Sequence, residues 1–298
     1  MSEFQPIGLQ HKALFDERLS REDSKSSSES FGNVFLWSDA CPRYIAPVGD
    51  RLCIEYRCSK GSFYAYPLGR GELVPAIDAL RKRADAQGTT LSLRCVTEGQ
   101  RLALEAAFPG RFRFTEDRDN FDYIYSVESF ATLAGKKFHG KRNYCNRFES
   151  ANEWRYEPLS PANFPACREL LRLWNAEKNG GSAEESEAIE RMFRFWDSLD
   201  MLGGVLFANE NPVAFTAGEL LSRDTVDVHF EKALDGIPGA YPMIAREFAR
   251  QIQAEQPMIR YLNREEDMGI PGLRKAKEDW YPVCMIEKYT ALWQENAP

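Results

Sequence analysis

Metal-ligating patterns are scarce in this chain. Its 298 residues include three histidines, His11, His139 and His229, and seven cysteines with no C-x-x-C pair. H-E-x-x-H is missing too, so the sequence argues against zinc and against any bound metal. The cysteines (Cys41, Cys53, Cys58, Cys95, Cys145, Cys167, Cys284) are odd in number and scattered. That suits buried thiols in a reducing cytosol better than a disulfide scaffold. No run approaches the roughly 20 apolar residues needed to span a bilayer. The opening MSEFQPIGLQHKALF lacks the basic and apolar regions of a secretory signal. The expected setting is therefore the cytoplasm, with peripheral association to an anionic membrane as a variant. A net charge of −7, from 45 acidic and 38 basic residues, argues against a general nucleic-acid coat and against DNA as a partner. Local basic patches remain open.

What is present is ample apolar material, 43% of residues, for the cores of two domains. Residues 11 to 19 read as a short amphipathic helix, and Arg21–Ser30, REDSKSSSES, as a polar flexible loop or lid. Three strand-like runs follow, Arg43–Pro47, Arg51–Cys58 and Ser62–Pro67, joined by short Gly/Asp connections as a meander. The spacing then predicts a helix over 71–87, a strand over 91–96, a helix over 98–107 and two more strands by residue 126. The second half repeats the order. Helices at 162–177 and 184–199 flank a turn, Lys178–Ser182, ahead of strands at 204–208, 213–221 and 225–232. A helix (240–254), a strand (258–263), a helix (270–280) and a last strand complete it. The expected domains are residues 1–150, ending in a basic segment, and 151–298, carrying the cleft. Both read as mixed α/β (α+β) units built on the same element order.

Three stretches carry candidate chemistry. In GKKFHGKRNYCNRF (Gly135–Phe148) five basic residues precede the first acid, Glu149. Lys137 and Lys141 fall one helical turn apart, where like charges repel unless an anion sits between them. Lys136, Lys137, His139, Lys141 and Arg142 are therefore candidate phosphate contacts. In TVDVHFEKALDGIPGAY (Thr225–Tyr241), alternation puts Asp227, His229 and Glu231 on one face of a strand, an imidazole between two carboxylates. The strand runs into a Gly-rich turn, where Lys232, Gly236 and Gly239 are candidates for phosphate or oxyanion contact. His229 or Glu231 is the candidate base, and Tyr241 or Tyr281 the candidate acid. In NREEDMGIPGLRKAKEDWYP (Asn263–Pro282), a strand end leads through an acidic turn into a helix that Asp267 can cap. Ile270, Leu273 and Trp280 form its apolar face. Asn263, Asp267, Arg274 and Lys275 are candidate ligand contacts there.

The runs K-K-F-H-G-K-R-N-x-x-N-R-F (Lys136–Phe148) and N-R-E-x-D-x-G-I-P-G-L-R-K-A-K (Asn263–Lys277) resemble the bacterial family of phosphatidylglycerol lysyltransferase C-terminal domain-like proteins. The resemblance implies a tandem GNAT fold, two acyltransferase-like units with mixed sheets and flanking helices, related to Fem-type aminoacyltransferases. It implies an acyl or aminoacyl transferase with no tightly bound cofactor. The donor would be aminoacyl-tRNA or acyl-coenzyme A, and the acceptor an amine or hydroxyl on a small molecule or lipid headgroup. The GNAT pyrophosphate loop has R/Q-x-x-G-x-G/A, whereas here Lys232 and Gly236 are four apart and Gly239 follows three later. That departure motivates the alternative, a non-catalytic module holding an anionic ligand, a tRNA acceptor end or a lipid headgroup.

Overall fold

The computed structural model describes residues 3–59, 61–177 and 182–295, so most of the expected Lys178–Ser182 turn lies outside the described residues. In chain order the first elements are β1 (Gln5–Pro6), α1 (Lys12–Ser20), α2 (Phe31–Leu36), β2 (Arg43–Val48), β3 (Arg51–Cys58) and β4 (Gly61–Tyr64). Next come α3 (Leu73–Ala86), β5 (Ser92–Thr97), α4 (Glu98–Ala107), β6 (Phe112–Glu116), β7 (Asp122–Ser126) and α5 (Val127–Thr132). They are followed by α6 (His139–Ala151), β8 (Trp154–Pro158), α7 (Phe164–Glu177), α8 (Ala183–Arg194), β9 (Leu202–Ala208) and β10 (Asn211–Ser222). The last are β11 (Thr225–Ala233), α9 (Ala240–Glu255), β12 (Tyr261–Asn263), α10 (Pro271–Glu278), β13 (Cys284–Ile286) and β14 (Lys288–Trp293).

Two seven-stranded sheets result, ordered β1-β2-β3-β4-β5-β14-β6 and β13-β7-β12-β11-β10-β9-β8. The compact units do not divide at residue 150. One comprises residues 1–123, 265–275 and 285–298, the other 124–264 and 276–284. The reason lies in the edges. Among its residues β14 buries Ala291 and Trp293, and the Trp293 ring meets Phe108 and Phe112 edge-on at 5.6 and 5.2 Å. Such aromatic contacts, with antiparallel pairing to β5 and β6, fix the chain's C-terminal strand in the first sheet. Linear order could not show this, and the basic segment consequently belongs to the second unit.

In the first unit α3 lays Ala76, Ile77, Leu80 and Ala84 on Cys53, Leu93, Val96 and Leu104. Thr97 opens α4, its amide bonded to the Gln100 side chain at 3.0 Å. Arg21–Ser30 is not a free loop. It holds a short 3₁₀ turn, Ser27–Glu29, with Ser26, Ser27 and Ser30 buried; the Ser27 amide and hydroxyl donate to Asp122, and the Ser30 hydroxyl accepts from the Asn33 amide. Cys41 and Cys58 form a disulfide, contrary to the expectation of thiols alone; β2 and β3 bring their Cα atoms to 4.5 Å. Cys53, Cys145 and Cys167 are buried free thiols, as the composition suggests.

In the second unit β9, β10 and β11 are buried on both faces, α7 covering one part and α9 another, which explains their near-continuous apolar runs. Met243, Ile244, Phe248 and Ile252 form the buried stripe of α9. α10 is shorter than expected. Trp280 lies past its end, and Ile270, ahead of it, is exposed.

Candidate active site

β11 and β12 run parallel for three pairs, Thr225↔Tyr261, Val226↔Leu262 and Asp227↔Asn263. There β12 stops, while β11 continues to Ala233 paired only with β10. The edge of β11 from residue 228 onward therefore opens away from its parallel neighbour. Register explains where. Ala217 faces Phe230 and Gly218 faces Val228, so His229 is the extra residue of a β-bulge, which bends and twists the strand. Gly218 is required opposite it, since a Cβ there would overlap the Asp227 carbonyl oxygen.

Asp227 and His229 share a face of the strand, as alternation predicts. His229 turns inward, its side chain 1% exposed, with Nε2 3.2 Å from Glu219 Oε1 and Nδ1 3.8 Å from Asp227 Oδ2. Solvent access to its ring is closed in this arrangement. Glu219, unforeseen in the sequence, faces Asp227 across the strand pair, a position readable only once the register is known.

Glu231 instead meets Arg264 at the end of β12, with Oε1 2.6 Å from the guanidinium. That guanidinium lies 5.5 to 5.7 Å from the rings of Phe130, Tyr125 and Trp280. The Arg264 carbonyl accepts from Lys277 Nζ, and Trp280 stacks on Phe130 at 4.3 Å. Lys141 of α6 stands 4.7 Å above Trp280. Burial pushes the Lys141 pKa down, against the charge of Asp279 and together with that of Arg264. Lys137 sits 5.3 Å from the exposed ring of Tyr281. Cations over aromatic faces thus border the opening beyond β12.

α9 follows the C-terminal end of β11. Gly239 has φ 94°, and its Cα packs against the Tyr144 carbonyl and Phe148 of α6, leaving no room for a side chain. The first helical bond runs from the Met243 amide to the Gly239 carbonyl; the Ala240 amide bonds the Ile237 carbonyl and Pro242 has no N–H, so of the three residues between them Tyr241 is the one whose amide is directed out of the helix start. Gly236 is exposed in the preceding turn. The Tyr241 hydroxyl accepts from the Trp174 indole at 3.3 Å. Burial pushes this phenol's pKa up.

Several other candidates are engaged elsewhere. Lys232 does not face the opening; Nζ bonds Glu185 Oε1 at 2.7 Å and lies 3.9 Å over Trp174. Arg142 donates to the carbonyls of Leu133 and Gly135, closing the end of α5 instead of waiting for an anion. His139 pairs with Asn143 at 3.1 Å, and Lys136 is exposed. Asn263 is fully buried at the end of β12.

Asp267 and Arg274 form a clasp within the first unit. Two Arg274–Asp267 bonds measure 2.8 and 2.9 Å, and Asp267 also accepts from Arg118 at 3.0 Å and from the Tyr123 hydroxyl at 2.6 Å. Arg274 further binds Asp119 at 2.6 Å. Asp267 takes the Gly269 amide at 2.9 Å, shaping the turn ahead of α10, so it does not cap the helix as expected. Burial opposes its ionisation, yet the bonds from Arg274, Tyr123 and Gly269 hold its carboxyl well below the usual carboxylate range. Lys275 is exposed.

A splayed parallel strand pair, a bulged central strand and a helix starting beside the gap are features that comparison with known proteins extends. A conserved protein of unknown function from Bacteroides thetaiotaomicron superposes with a TM-score of 0.94 at 35% identity, covering 99% of this chain and all of that one. FemX superposes at 0.64 with 8% identity over 98% and 97% of the two chains. A tandem GNAT protein from the clavulanic acid biosynthesis pathway gives 0.56 with 9% identity over 99% and 100%. At such identities the last two show the fold alone, tandem GNAT and Fem-type. No curated protein sequence matches the chain. The family model for phosphatidylglycerol lysyltransferase, C-terminal, matches residues 20–292, nearly the whole length. With fold and sequence model in agreement, the chain belongs to the phosphatidylglycerol lysyltransferase C-terminal family.

Proposed function

We propose that the second unit moves an activated acyl or aminoacyl group from an ester donor to an amine or hydroxyl acceptor. The observation that supports this is the opening between β11 and β12, bordered by Lys141, Arg264 and Trp280 and by the start of α9. Cations interleaved with aromatic faces suit a nucleic-acid end, whose phosphates and bases need both, and so favour aminoacyl-tRNA as donor. Acyl-coenzyme A is the less suited donor, given the altered glycine spacing and the engagement of Lys232 with Glu185. The family's lysyl transfer to phosphatidylglycerol makes a lipid headgroup one acceptor to test, with the protein peripheral to a membrane; no helix among the described residues is long and apolar enough to cross one.

In the proposed reaction the acceptor nitrogen attacks the ester carbonyl, a C–N bond forms and the C–O bond to the leaving group breaks. Glu231 takes the amine proton. Tyr241 gives its proton to the departing oxygen: its hydroxyl accepts from the Trp174 indole, so its own hydrogen is directed elsewhere, and burial keeps it protonated. Amides at the start of α9, near Gly236 and Gly239, steady the oxyanion or a donor phosphate. His229, shut from solvent, is a positioning residue that fixes the bulge with Glu219. Tyr281 and Lys137 offer a stacking face and a charge, and Lys136 extends the charge. Because an ester is already activated, orientation supplies much of the remaining barrier reduction.

The test is turnover with aminoacyl-tRNA or acetyl-coenzyme A as donor, and phosphatidylglycerol vesicles or a free amine as acceptor. Glu231→Gln and Tyr241→Phe should each slow it by about 10²-fold or more. Full activity in both variants refutes these roles. The binding-module reading draws on the Glu231–Arg264 pair, which holds the candidate base, and predicts ligand-dependent stabilisation without product.

A further inference from the structure

The first unit contains a cavity of about 210 Å³ that the transfer reaction proposed above does not use. One wall is the Ser27–Glu29 turn; the others include Tyr56, Phe63, Gln100, Glu266 and Lys288. Lys288 is 1% exposed, but its charge is answered inside the fold. Nζ lies 2.7 Å from Asp122 Oδ1 and donates to the hydroxyls of Ser28 at 2.9 Å and Ser27 at 3.2 Å. Asp122 is locked in turn by the Ser27 amide and hydroxyl, each at 2.8 Å.

The carboxylates facing the cavity have no such answer. Glu29 accepts from the Gln100 amide, while Oε2, closed off from solvent, has the Ser24 hydroxyl nearby and no aligned donor among the described residues. Burial, then the charge of Glu22, pushes the Glu29 carboxyl up to about 7. Glu266 is also pushed up, by burial and then by Glu265, with Lys288 opposing. A buried carboxylate that lacks a cation either keeps a proton or awaits a positive ligand. The aromatic walls favour the second. Tyr56 and Phe63 stack at 4.7 Å, Arg43 lies over Tyr56 at 5.0 Å, and exposed Arg94 lies over Phe63 at 4.3 Å. The exposed Arg94 guanidinium at this rim suits an anionic group on the same ligand, and the volume is below that of drug-sized sites.

We propose that this cavity binds a small amino acid-sized molecule, its ammonium group against Glu29 and Glu266 and its carboxylate toward Arg94. The site stands independently of catalysis in the second unit. Calorimetric titration of the full chain with alanine and with lysine, against N-acetylalanine and propionate, tests it. Binding of at least one amino acid is expected, weakened about tenfold or more by Glu29→Gln and by Glu266→Gln, with neither control compound binding. Both substitutions are isosteric and replace partly buried carboxyls, so the variants are expected to fold; thermal unfolding checks this. The proposal is overturned if neither amino acid binds at about 10 mM, if the controls bind equally, or if both folded variants bind like the unaltered protein.

Discussion

Replacing Asp267 by Asn tests whether the Asp267–Arg274 clasp is structural. The carboxylate is fully buried and takes five hydrogen bonds, from Arg274 (two), Arg118, Tyr123 and Gly269. Removing one partner of a buried ion pair costs about 3–5 kcal/mol, chiefly through the charge left behind. Here the arginines are 31% and 32% exposed, so water recovers part of that, and about 3 kcal/mol is expected. For a chain of this length the melting temperature should fall by about 6 °C at neutral pH. The pH dependence gives a second reading. The folded carboxyl titrates below its ordinary value of 3.8, so its stabilising contribution is present above that value and lost as pH falls below it. The gap between the two proteins should therefore narrow progressively as pH falls below that value. Thermal unfolding from neutral pH down to about pH 3 measures both effects. A variant melting within about 1 °C of the parent at neutral pH, or a gap that does not narrow at all by about pH 3, refutes the reasoning.

Other outcomes follow from the same geometry. Glu29 shows the opposite sign: its folded pKa is raised, so its contribution is intact below the ordinary value of 4.5 and lost as pH rises through about 7. Glu29→Gln should stabilise the protein above pH 7 by up to about 3 kcal/mol and not below about pH 4, read by urea unfolding. Replacing Lys137 and Lys141 by Ala should weaken binding of tRNA and lower its log–log salt slope by about 2; an unchanged slope removes both from the phosphate contacts. Gly218→Ala should cost about 1–3 kcal/mol by driving a methyl into the Asp227 carbonyl, and unchanged stability would contradict the register assigned to the bulge.

Elements with strong local signals were legible in the sequence. α4 runs from Glu98 to Ala107 as its spacing predicts, and α9 begins at Ala240 behind the glycine that its left-handed backbone requires. Family membership was legible for the same reason: the motifs at Lys136–Phe148 and Asn263–Lys277 are contiguous. Short pieces such as β1, α2 and β8 were missed, because few residues set no measurable period.

At the candidate site, the strand, the Gly-rich turn and the basic segment were visible, but not which side chains point where. Alternation put Asp227 and His229 on one face, where the structure keeps them, but that Glu219 of β10 joins them there depends on the strand register. Residue type marked Lys232, Arg142, Asp267 and Arg274 as ligand contacts. Whether a charge is available depends on what folds against it: Glu185 and Asp119 come from distant sequence, and the Leu133 and Gly135 carbonyls meet Arg142 only through the turn between α5 and α6. The sequence by itself determined the longer helices and strands, the family and the basic character of residues 136–147, all set by local propensity and contiguous pattern. Tertiary structure alone decided the division into units, the inward turn of His229, the Cys41–Cys58 bridge and the Glu29–Glu266 cavity, because each rests on register or long-range burial that no local signal encodes.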